Sequence, residues 1–222
     1  MTDIKKIGII GGSGALGSAL AKRFIKESFA VTIGSRSPEK VISKISESDK
    51  NLDVQNLKIQ GIAQTASESE LIFLTVPFAA HQKTVHEIKP HVRGKILVDT
   101  TVPLVPPKVA RVQLPDSGCV ARKTQEMLGN DVQVVSALHN VAATALAKSE
   151  TPDGEVMVFG NNKEARETVI QLISKISLKG WHCGSIDNAV VAESLTPILI
   201  FMNKFYSFKG SGIKIVDANM TE

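Results

Sequence analysis

Tryptophan and tyrosine occur once each in the 222 residues of this chain. Its core must therefore be built from aliphatic side chains and a few phenylalanines. Cysteine is almost as scarce. Cys119 and Cys183 lie far apart and form no CxxC pair, so a disulfide framework is excluded and free thiols in a reducing compartment are expected. No long apolar run exists. The longest, Leu195–Met202, is interrupted by Thr196 and Pro197 and flanked by Glu193 and Lys204, too short to cross a bilayer. The N-terminus reads straight into a strand, without charged and apolar leader regions. A cytoplasmic protein with no membrane partner is the expectation. A Gly-x-Ser-x-Gly elbow and zinc-ligand spacing are also missing. The net charge of +4 is spread among acidic residues, with no basic run or interleaved aromatics. That favours a small anionic ligand over nucleic acid.

What is present begins at the N-terminus. Ile7-Gly8-Ile9-Ile10 is a short apolar strand, and Gly11-Gly12-Ser13-Gly14-Ala15-Leu16-Gly17 follows it. Gly12-x-Gly14-x-x-Gly17 fits the dinucleotide fingerprint. In that reading Gly12 permits the tight turn, Gly14 lets the backbone approach a pyrophosphate, and Gly17 lets helix and strand pack closely. The following helix offers its N-terminal N–H groups to phosphate. A plain strand–turn–helix is the alternative. The second strand, Phe29–Gly34, decides between dinucleotides. NAD sites place Asp or Glu near its end to accept from the ribose 2′-OH. Here Ser35 and Arg36 stand there, with Lys40 one helical turn on and no carboxylate from Phe29 to Pro38. Such residues suit a 2′-phosphate, hence NADP, although a solvated basic loop would look similar.

Strand and helix alternate through the first half. Strands are expected at Lys6–Ile10, Phe29–Gly34, Leu57–Ile62, Glu70–Val76, Lys95–Asp99 and Asp131–Leu138. Helices are expected at Ser18–Lys26, from Pro38 through Lys40–Ser46, around Gln64–Ser69 and at His81–Ile88. This pattern implies an α/β fold with a Rossmann-type doubly wound parallel sheet over residues 1–145. Residues 146–222 read as a small, mostly helical C-terminal domain that caps the cleft and joins subunits. It has strands at Glu155–Gly160 and Gly180–Gly184, an amphipathic helix at Lys163–Ile176, and an apolar helix Asn188–Tyr206 that Pro197 should kink or split.

Ligands in such sheets bind outside the carboxyl ends of the strands. Val76-Pro77-Phe78 ends one strand there and either shapes a cofactor trough or is a plain turn. His81, His86 and His91 recur every five residues, a step of about 140° on a helix, so no shared metal-binding face results. His139 follows an apolar strand and sits where chemistry belongs. It is either a catalytic histidine or a satisfied loop residue. With no arranged carboxylate pair in view, the chain has a nucleotide site with little proton-handling apparatus, which fits hydride transfer.

The glycine turn, Gly34-Ser35-Arg36, Thr101-Val102-Pro103-Leu104-Val105-Pro106, Val135-Ser136-Ala137-Leu138-His139, Glu193-Ser194-Leu195-Thr196-Pro197 and Gly210-Ser211-Gly212-Ile213-Lys214 together resemble the coenzyme F420-dependent NADP oxidoreductases. The resemblance covers nearly the whole chain. It implies hydride transfer between NADP(H) and coenzyme F420 across a cleft. Ser35, Arg36 and Lys40 would hold the 2′-phosphate, and Gly12, Ser13, Gly14, Ala15 and Leu16 the pyrophosphate. Val76, Pro77, Ala137, Leu138 and His139 would border the two rings, and the C-terminal helices would form a homodimer or larger assembly. The alternatives are an NADPH-dependent reductase of a flavin or ferric acceptor and a non-catalytic NADP sensor.

Overall fold

The computed structural model describes residues 4–39, 41, 54–148 and 154–217. One eight-stranded sheet organises them, in the order β3-β2-β1-β4-β5-β6-β7-β8. The strands are β1 (Lys6–Ile10), β2 (Ala30–Gly34), β3 (Leu57–Gln60), β4 (Leu71–Leu74), β5 (Ile96–Asp99), β6 (Gln133–Ser136), β7 (Glu155–Gly160) and β8 (Lys179–His182). β1 to β6 run parallel, β7 turns antiparallel against β6, and β8 runs parallel to β7. The doubly wound order changes direction between β1 and β4, which opens a crevice at their carboxyl ends.

The helices are α1 (Ala15–Lys26), α2 (Ile62–Glu68), α3 (Phe78–Ile88), α4 (Val120–Leu128), α5 (Ala143–Lys148), α6 (Lys163–Lys175) and α7 (Ala189–Phe205). They cover both faces of the sheet. On one face Ile7, Ile9 and Phe73 pack against Leu20 and Phe24 of α1 and Val169 and Ile173 of α6. On the other, Ile10, Ile72, Leu74 and Leu97 pack against Val85 and Ile88 of α3, Leu128 of α4 and Ala192 of α7. Covering a central strand on both sides requires an unbroken apolar run. Leu71-Ile72-Phe73-Leu74 supplies one, and all four residues are fully buried.

Several expected boundaries move. α1 starts at Ala15 rather than Ser18, because Gly14 is extended and serves as its N-cap. α3 starts at Phe78 rather than His81, directly after Pro77. α4 was not expected at all, although Val120, Ala121, Thr124 and Leu128 form its buried stripe. α7 continues as one helix through Pro197, so the split expected there does not occur. Proline removes one N–H, toward the Glu193 carbonyl, and its buried ring packs here within an otherwise intact helix. The helix expected over Lys40–Ser46 lies outside the described residues, apart from Val41. Lys40 itself is likewise outside them.

Candidate functional site

A cavity of about 860 Å³ opens at the carboxyl ends of β1, β2, β4, β5 and β6. That is within the roughly 300–1,000 Å³ typical of ligand clefts. Ser13, Gly14, Ala15, Leu16, Ser35, Arg36, Val76, Pro77, Leu138 and His139 all line it, drawn together from four separate stretches of chain. Gly12, Gly17 and Ala137 stand behind the lining.

The glycine turn works by close approach. The left-handed position in the turn is Gly11, at φ +90°, one residue before the fingerprint's Gly12. A Cβ on Gly12 would come within 2.7 Å of Ile33 on β2. A Cβ on Gly17 would lie 2.6 Å from the Thr75 hydroxyl and 2.7 Å from Gly12 Cα, so this glycine does bring α1 onto the sheet. Gly14 differs. Its Cβ would meet only the Gly11 carbonyl, at 3.3 Å, because the position is open. No side chain caps α1 there. The first N–H groups of α1 have no helical acceptors and stand at the cleft wall, ready for an anion. Ser35 and Arg36 follow β2 on the same cleft, so the surroundings fit a dinucleotide carrying a 2′-phosphate.

The opposite wall is made of buried polar side chains. His139 is 5% exposed, and neither ring nitrogen has a hydrogen-bond partner. Burial pushes its imidazole down to about 4, against the opposing pull of Asp99 and the Thr101 backbone. At neutral pH it is an uncharged ring. Leu138 before it sits at φ +71°, an uncommon conformation for a leucine that re-aims the chain as it leaves β6. From the C-terminal region, the Thr196 hydroxyl donates to the His139 carbonyl at 2.8 Å. The Glu-Ser-Leu-Thr-Pro segment of α7 thus reaches the cleft and steadies His139 from behind.

Two further buried groups are carboxyls. Asp99, fully buried at the end of β5, accepts from His81 Nε2 at 3.0 Å and from the Thr124 hydroxyl at 2.6 Å. Its other oxygen accepts from the Thr101 N–H at 2.9 Å. Burial alone would raise this carboxyl, but the His81 hydrogen bond and charge, with Thr124 and Thr101, hold it below the usual range. Glu193 on α7 accepts from the Val120 and Ala121 N–H groups at 2.7 and 3.0 Å and so caps α4. Burial pushes Glu193 up to about 8. Apart from Thr101, two positions from Asp99, these partners lie 18 to 73 positions apart in sequence, and no local pattern announces them. Thr100 and Thr101, which line the cavity, could have been found by the rule that strand carboxyl ends carry function.

The fold and the cleft define a Rossmann-type dinucleotide-binding protein. The family model described as NADP oxidoreductase, coenzyme F420-dependent, matches residues 6–103. The F420-dependent NADP reductase of Methanocaldococcus jannaschii is 33% identical over 221 residues, covering 96% of this chain and 98% of that protein. The chain belongs to the F420-dependent NADP oxidoreductase family. A crystal structure from Arthrobacter sp. FB24, provisionally assigned as an F420-dependent NADP reductase, superposes with a TM-score of 0.82 at 22% identity. It covers 96% of this chain and 100% of that one, and it bears on the fold alone. The metalloreductase STEAP3 of Rattus norvegicus is 26% identical over 194 residues, 87% of this chain but 36% of that protein.

Proposed function

We propose that this protein is an enzyme that transfers a hydride between NADP(H) and coenzyme F420. The observation that carries the reading is the end-to-end likeness to an F420-dependent NADP reductase, which extends past the nucleotide half into the α7 segment gripping His139. The turn Gly12–Leu16 would hold the pyrophosphate, with Gly17 behind it. Ser35, Arg36 and Lys40 would hold the 2′-phosphate. Val76, Pro77, Ala137, Leu138 and His139 would border the two rings.

Bound together, the nicotinamide and the deazaflavin supply the hydride donor and acceptor. The protein's part is alignment. Pre-positioning of reacting groups at about 3–3.5 Å can be worth roughly 7–11 kcal/mol. The aliphatic wall around Val76, Pro77 and Leu138 excludes water from the exchange. His139, uncharged near neutral pH, would serve as a hydrogen-bonding wall residue rather than a strong acid.

In this reading residues 1–145 bind NADP, and residues 146–222 complete the cleft and form the subunit interface. Among the described residues no helix is long and apolar enough to cross a membrane, and we take the enzyme to be cytoplasmic. The exposed rings of Phe201, Phe205, Tyr206 and Phe208 contact one another in sequence at the end of α7, two pairs stacked and Phe205–Tyr206 edge to face, with centroids 4.9 to 5.8 Å apart. An exposed aromatic ladder of this kind favours a homodimer. Phe205→Glu should dissociate it in sedimentation.

The deciding experiment is NADPH oxidation by the purified protein with F420 supplied. Turnover with F420 is expected, and its absence at every F420 concentration would sink the assignment. The likeness to a metalloreductase favours a ferric chelate as the second acceptor to try.

A further inference from the structure

We propose that Thr101 is a specificity residue of the cleft, and that buried Asp99 is the positioning residue that fixes it. The Thr101 hydroxyl, together with the His139 imidazole, receives the amide or imide edge of a planar ring. The proposal deepens the hydride-transfer reading and rests on it.

Thr101 is 3% exposed and lines the same cavity as His139. Its hydroxyl has no hydrogen-bond partner, and neither nitrogen of His139 makes a well-formed one, the ring being drawn only toward the Thr101 backbone. Native proteins rarely leave buried polar atoms unpaired, because each has lost its water without replacement. Here three such atoms border one cavity. The neighbouring hydroxyls are already committed. Thr75 donates to Ile10, Thr84 to Ala80 and Thr100 to Leu74. Thr101 and His139 are therefore the side chains of this wall left with hydrogen-bonding capacity to spend on a ligand.

Their chemistry defines what they take. A threonine hydroxyl donates one hydrogen bond and accepts others. A neutral imidazole donates from one nitrogen and accepts at the other. The matching ligand edge carries a C=O beside an N–H and no net charge. The nicotinamide carboxamide and the pyrimidinedione edge of a deazaflavin both qualify, and an aliphatic ligand does not.

Asp99 explains how Thr101 keeps its aim. Its Oδ1 takes the Thr101 N–H, and its Oδ2 is held by His81 and Thr124. The carboxylate is thus tied to α3 through His81 and to α4 through Thr124. A loop residue at a strand end inherits the rigidity of two helices, which is what a positioned binding group requires.

Thr101→Val keeps the shape and removes the hydroxyl, whereas Thr101→Ser keeps the hydroxyl. Thr101→Val should weaken one ring by tenfold or more, read either as the NADPH Kd by calorimetry or as the KM for F420. Thr101→Ser should restore it to within about threefold. Which constant moves identifies the ring. Asp99→Asn should raise the same constant and should add nothing in the Thr101→Val background, because the two act as one unit. If Asp99→Asn does not fold, Thr124→Val tests the same link. Both constants unchanged in Thr101→Val, with wild-type turnover on F420 intact, would overturn the role of Thr101. An additive Asp99 effect would overturn the positioning role. Absence of F420 turnover in the wild type would instead sink the reading on which both rest.

Discussion

The cleft wall at residues 11–17 presents backbone, whereas the wall at the ends of β5 and β6 presents buried side chains. In the first, a Cβ on Gly11, Gly12 or Gly17 would meet its neighbours at under 3 Å while Gly14 stays open, and the wall ends in the free N–H groups of α1. The second is made of Thr101 and His139, held from behind by Asp99 and Thr196. Phosphates are alike in every dinucleotide, so backbone donors at a helix N-terminus suffice to bind them. Rings differ in their polar edges, and only side chains with unspent donors and acceptors can tell them apart.

The sharpest way to break this comparison is within the glycine wall. Gly14→Val should leave the fold intact and abolish NADPH binding in calorimetry, because its side chain enters the open cleft. Gly17→Val should instead lower thermal stability, by about 1–3 kcal/mol or more, because its side chain meets Thr75 and the glycine turn. A normal NADPH affinity in folded Gly14→Val would show that phosphates do not bind there.

On the side-chain wall, His139→Ala should lower turnover with F420 by about 10–100-fold with NADPH affinity retained, the low end of what acid assistance supplies. A loss beyond about 10⁴-fold would make His139 the essential acid. An unchanged rate would remove it from the cleft. At the far end of the nucleotide wall, NADPH should bind at least about tenfold tighter than NADH, since a charge-assisted pair is worth about 1.5–3 kcal/mol. Arg36→Ala should erase most of that preference, and equal affinities in the wild type would refute the 2′-phosphate reading.

The smallest effect is in the pH dependence of stability. His139 is held at about 4 against an ordinary 6.5. Between those values the unfolded chain binds a proton that the folded chain refuses, so stability falls as pH drops from 6.5 toward 4. Glu193 is raised to about 8 from 4.5. The unfolded chain ionises it first, so this contribution falls as pH rises from 4.5 toward 8. Relative to His139→Gln, the wild-type melting temperature should therefore drop toward acid. Relative to Glu193→Gln, it should drop toward pH 8. Differences that stay flat across pH 4–8 would contradict the burial of these groups.

Much of this is legible in the sequence. β1 and β7 fall where their apolar runs placed them, because burial on both faces forces a run that no loop would carry. The glycine turn and the Ser35-Arg36 pair line the cleft, where their fixed offsets from β1 and β2 led the sequence to place them. α4 was passed over although it carries a helical stripe, and its N-terminus is capped by Glu193, 73 positions away from Val120.

The sequence by itself determined the alternation of strands and helices, the nucleotide turn and the absent acid at the end of β2. Each is set by local periodicity or by a few adjacent residues. Only the tertiary structure decided that Gly11 takes the left-handed turn, that α7 continues through Pro197, and that Asp99 ties His81 and Thr124 beneath Thr101. A buried carboxylate is tolerable only where several distant donors converge on it, and that convergence is a property of packing in space, not of order along the chain.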